Sequence, residues 1–142
     1  MKNEFFYSAD YQGTKEYTQW NVQTINATGF GAAADDHAER GIDLNEQLIK
    51  NKPATFFMRV NSDAMTGSGI FRGDVVIVDR SLEAKNGKVI IAVLDGEMLI
   101  RRLDINNGKK QLVALTSKLA SIEVNDENFW CWGVVTYVIH SL

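Results

Sequence analysis

One proline, one cysteine, two histidines and no long apolar run are what this 142-residue chain offers where other proteins carry scaffolds or cofactors. Cys131 stands alone, so no disulfide framework and no cysteine-based metal site can be built. His37 and His140 are isolated, and neither has a carboxylate pair at metal-ligand spacing, so no metal or cofactor is expected. No span approaches the roughly 20 apolar residues of a transmembrane helix, and "MKNEFFYSADYQG" has no signal-peptide run. A cytoplasmic protein without a membrane partner is the expectation. Positive charge is scarce as well. A net charge of -3 and a pI near 5.3 argue against a surface that grips nucleic acid by itself. Gly67 and Gly69 do not make a phosphate loop, because the lysine and following helix are missing.

What is present divides the chain in two. Residues 1–44 hold Lys2, Lys15 and Arg40 against seven acids and contain the glycine- and alanine-rich break "NATGFGAAAD". That composition suits an extended arm with a short helix around 33–40, and an arm of this size cannot pack a core alone. "IDLNEQLIKNKP" predicts a short helix that ends near Lys50, before Pro53.

From residue 54 the pattern is strand-like. "TFFMRV", "DVVIVDR", "KVIIAVLD", "EMLIRRLDI", "KQLVALT", "ASIEV" and "WCWGVVTYVIHS" read as six or seven strands. Asp95-Gly96 and Asn107-Gly108 are hairpin turn signals between them. No strand–helix–strand alternation appears, so residues 45–142 predict a compact, mostly antiparallel β domain. The aromatics Trp130, Trp132 and Tyr137 in the last strand suit core or dimer packing. Cys131, in the apolar run "FWCWGVV", suits a buried structural thiol.

One loop stands out. In "VNSDAMTGSGIFRGDVVIVD" a short polar segment with Ser62, Asp63, Ala64 and Met65 runs into two glycines and then a Gly-Asp turn. This loop, with "GFGAAADDHAERGIDLNEQLI", "TFFMRVNSDAM", "GKVIIAVLDGEMLIRRL" and "WGVVTYVIHSL", resembles the LexA/UmuD family of self-cleaving serine–lysine peptidases. The resemblance covers about residues 24–142 and is strongest to the UmuD branch, the accessory subunits of error-prone translesion polymerases. It implies a peptidase-type β domain behind an N-terminal arm.

The resemblance also assigns positions. The family's nucleophilic serine falls on Ala64, within the cleft loop of Ser62, Asp63 and Met65, and its general-base lysine falls on Arg101, 37 positions later. The self-cleavage bond falls on Thr28–Gly29. A serine–lysine dyad needs a hydroxyl to attack and a neutral amine to take its proton. Ala64 has no hydroxyl, and arginine is not deprotonated in proteins. Ser62 would lie about 6–7 Å from position 64 along an extended loop, and Lys85 and Lys88 fall in a turn and at a strand start. Ser62 and Ser68 are therefore read as turn hydroxyls, and Gly29 and Gly31 as a flexible joint.

Three functions follow for comparison. One is a non-cleaving UmuD-like accessory homodimer that binds a Y-family (UmuC-like) polymerase, with a RecA–single-stranded DNA filament as a further partner, in the SOS response to DNA damage. The alternative is an active peptidase that processes itself at Thr28–Gly29. A LexA-like repressor needs a DNA-binding helix-turn-helix, and the 28 residues before Gly29 are too few and too acidic for one.

Overall fold

In a computed structural model of the chain, residues 4–11 and 41–142 are described, apart from the side chains of Phe6 and Tyr7. The expected cleavage bond at Thr28–Gly29, the short helix around 33–40 and His37 lie outside these residues. The chain divides into two units, residues 1–11 with 51–142 and residues 12–50.

In the second unit, helix α1 spans Leu44–Leu48. Asp43 caps it, its Oδ1 accepting from the N–H groups of Asn45 at 2.9 Å and Glu46 at 3.4 Å. Such a cap satisfies donors that the first turn cannot pair internally. The helix stops at Ile49, whose backbone is already extended.

The first unit is one antiparallel sheet of eight strands: β1 Phe5–Asp10, β2 Thr55–Val60, β3 Val75–Asp79, β4 Val89–Leu94, β5 Glu97–Asn106, β6 Lys109–Val113, β7 Ile122–Val124 and β8 Phe129–Ile139. Their order is β1-β2-β3-β8-β4-β5-β6-β7, so the long last strand returns to the middle. The mostly antiparallel β fold expected from the sequence is what the chain adopts. Asp95-Gly96 and Asn107-Gly108 close the β4–β5 and β5–β6 hairpins with positive φ at both residues, the twist that matches right-handed strands.

Two apolar clusters explain the strand sequences. Ile90 and Ala92 join Leu103, Leu112, Val124, Phe129 and Val134, whereas Ile91 joins Met58, Val60, Val76, Val78 and Ile100. Neighbours on a strand point to opposite faces, so β4 is buried on both, and "VIIAV" is apolar without alternation. Ile90, Ile91 and Ile100 are fully buried, each stabilising the fold by about 1.5–3 kcal/mol.

One departure from the sequence reading matters. Residues 5–10, placed there in the arm, form edge strand β1, antiparallel to β2 from Phe5↔Val60 to Asp10↔Phe56. The poor alternation hides this, since Phe5 is buried whereas Ser8, Ala9 and Asp10 are exposed. The terminal-strand aromatics differ among themselves. Trp132 packs edge-on against Phe56 at 5.1 Å, with Arg80 lying 4.2 Å over its ring, but Trp130 is exposed.

Candidate functional site

Loop 61–74, between β2 and β3, is held at both ends by backbone. Val60 N–H donates to Asp74 O and Gly73 N–H returns to Val60 O, each at 2.8 Å. The Asp74 carboxylate is buried; Oδ2 accepts from Phe71 N–H at 2.8 Å and Oδ1 meets His140 Nδ1 at 2.5 Å. Across the loop mouth Arg72 reaches Asn61 Oδ1 at 2.5 Å and both oxygens of Asp63 at 3.0 and 3.3 Å. The hydrogen bonds that Arg72 donates to Asp63 raise its pKa above the ordinary value.

Inside this frame Ala64 and Met65 are buried in the same core cluster as Ile100. Ala64 N–H donates to Ser62 Oγ at 3.1 Å, and Ala64 O accepts from Leu115 N–H at 2.7 Å. Three residues on, Gly67 N–H donates to Leu115 O at 2.7 Å. The backbone around Ala64 is thus pinned to residue 115 from two sides. A side chain at Gly67 would put Cβ 2.6 Å from the Leu115 oxygen, so glycine is required for this approach. Ser68 Oγ turns back to Met65 O at 2.8 Å. Both serines therefore bond within the loop, as local turn hydroxyls do.

Arg101 comes to the site from β5. Strand β6 pairs with β5 only as far as Arg102↔Val113, after which Leu115 belongs to loop 61–74. In the gap sits the Glu4 carboxylate. Its Oε1 accepts from Ile100 N–H at 2.9 Å, and Oε1 and Oε2 accept from Arg101 Nη1 at 2.9 and 3.0 Å. Nη1 also donates to Ile100 O at 2.7 Å, while Nε is buried with no partner among the described residues. Both side chains of this ion pair are about 6% exposed. Glu4 O in turn accepts from Asn61 N–H at 2.6 Å, so one residue touches the β5 cation and the loop.

Comparison with protein families matches residues 22–136 to the Peptidase S24-like family. The chain belongs to that family. The chain is 32% identical to Protein ImpA of Salmonella typhimurium over 140 residues, covering 99% of this chain and 96% of that protein. It is 31% identical to Protein MucA of Escherichia coli over 118 residues, 82% of this chain and 80% of that protein. The LexA repressor of Bordetella pertussis is 30% identical over 116 residues, 81% of this chain but 53% of the repressor. These likenesses make the chain a UmuD-like member of the LexA/UmuD family.

Within a Peptidase S24-like fold, the structure brings Ser62, Asp63, Ala64 and Met65 into one pinned loop and connects it to Arg101 through Glu4. The residues offer no hydroxyl at 64 and no neutral amine at 101. Lys85 and Lys88 are exposed. Among the described residues no group of three or more His, Cys, Asp or Glu could hold a metal ion. Sequence reasoning missed Glu4, which was counted only among the arm's acids. The available signal was indirect: an arginine inside the apolar run "EMLIRRL" needs a buried counter-charge from elsewhere in the chain.

Proposed function

We propose that the chain is a UmuD-like accessory protein of a Y-family, UmuC-like DNA polymerase in the SOS response, acting as a cytoplasmic homodimer without cutting itself. The observation that carries this reading is the state of the two positions matching the family's dyad. Ala64 presents a methyl group in the core, and the Arg101 guanidinium is paired with the buried Glu4 carboxylate. A guanidinium so paired takes no proton from anything, so a hydroxyl elsewhere in the loop would have no base to arm it. What is left of the family's equipment is a loop pinned by backbone bonds to residues 60 and 115, which suits binding. A RecA–single-stranded DNA filament is the further partner this reading includes, and no sequence-specific DNA contact is part of it.

The accessory role is tested with the partner itself. The tagged chain is co-expressed with the Y-family polymerase of its own cell and recovered under native conditions. A stoichiometric complex is expected, and recovery of the chain without polymerase would contradict the accessory role. No helix among the described residues is long and apolar enough to cross a membrane.

A further inference from the structure

Edge strand β1 is held unevenly. Its outer half, Ser8 to Asp10, is exposed, and its register with β2 shifts between Phe5 and Ser8. Beyond the ladder, Tyr11 tilts against Phe57 at 5.9 Å at the far end, but the buried anchors are two adjacent residues at the start: Phe5, in the core with Met58 and Val60, and Glu4 on Arg101 and Ile100 N–H. The carboxylate is met by a cation and a backbone donor, both inside the sheet, where a β5 amide lacks a β6 partner. A pair of donors converging on one carboxylate is a receptor, and here the ligand is supplied by the chain's own N-terminal segment.

We propose that Arg101 and the Ile100 N–H form a carboxylate-binding clasp whose ligand is Glu4, and that this clasp decides whether the N-terminal segment is seated as strand β1. The position that matches the family's general base thereby acquires a different task, holding an acidic side chain. The inference goes beyond the accessory role and stands on geometry independent of it. All three bonds of the guanidinium run through Nη1, leaving buried Nε without a partner among the described residues. The pair is therefore not the two-pronged fork that locks an arginine to a carboxylate, and it can let go. Release exposes the β2 edge from Thr55 to Val60, a row of backbone groups open to strand pairing. Because Glu4 O also binds Asn61 N–H, seating and unseating are felt at the loop that carries Ala64.

The test is amide hydrogen exchange on the full chain, comparing wild type with Glu4→Ala, Glu4→Gln and Arg101→Met. In each variant, exchange at Asn61, Tyr11 and the β1–β2 ladder is expected to rise by about two orders of magnitude, the scale set by unpairing a buried charge. Exchange in β4 to β7 stays as in wild type. Sodium acetate, as the free carboxylate probe, slows exchange at Asn61 in Glu4→Ala and does nothing in Arg101→Met. Unchanged β1–β2 exchange in the variants overturns the clasp, as does a rise spread equally over all strands. If Arg101→Met does not fold, the two Glu4 variants decide the question. Acetate without effect on Glu4→Ala overturns the assignment of a carboxylate site.

Discussion

Replacing Gly67 by alanine probes the loop that carries Ala64 without touching Ala64 itself. The new methyl carbon would lie 2.6 Å from the Leu115 oxygen and 3.2 Å from its Cβ. The first contact is with backbone, which cannot swing away as a side-chain tip can. Either loop 61–74 or residue 115 must move, and both Gly67 N–H→Leu115 O and Leu115 N–H→Ala64 O lie on that seam. Overpacking costs about 1–3 kcal/mol, and weakening two backbone bonds adds about 0.5–1.5 kcal/mol each. A net loss of about 2–6 kcal/mol is expected. Gly69→Ala is the control, since its Cβ meets nothing within 4 Å but its φ is +86°. That change costs only the left-handed penalty, about 1–2 kcal/mol. Urea unfolding followed by tryptophan fluorescence gives both values, with the slope against denaturant unchanged. A Gly67→Ala protein as stable as wild type, or more stable than Gly69→Ala, would refute the claim that the loop is pinned by close packing.

Other outcomes follow from the same geometry. Ala64→Ser with Arg101→Lys restores the residue types of the dyad but leaves Glu4, whose negative charge favours a protonated lysine. That double variant is expected to remain uncut, and adding Glu4→Gln should make self-cleavage measurable by gel; equal behaviour of the two would remove Glu4 from the account. Asp74→Ala strips the acceptor from Phe71 N–H and should cost about 1–3 kcal/mol in thermal or urea unfolding, more than His140→Ala, whose ring is about half exposed. Burial raises the Cys131 pKa above that of a free thiol, so little thiolate exists at neutral pH. Its alkylation by iodoacetamide should be slower than that of glutathione and accelerate as pH rises.

The strands from 55 onward were legible because their period and turn chemistry are local. Asp95-Gly96 and Asn107-Gly108 adopt the left-handed pair that such dipeptides favour. Strand β1 was not legible, since its hold on the sheet depends on Glu4 and Phe5 meeting residues near 60 and 100. The loop of the candidate site was readable as a motif, and the emptiness of position 64 with it. What motif reading could not supply was the fate of a buried arginine. A charge there demands a partner, but only the folded chain identifies an acid 97 positions away. The Asp74–His140 contact was hidden for the same reason, with 66 positions between its partners.

The central claim is that this Peptidase S24-like chain keeps the loop and lacks the reaction. Intact-mass measurement of the purified full-length protein tests it most directly, after incubation at alkaline pH and, separately, with RecA, single-stranded DNA and nucleotide. The account predicts one species of unchanged mass under both conditions. A product whose N-terminus is Gly29 would contradict it.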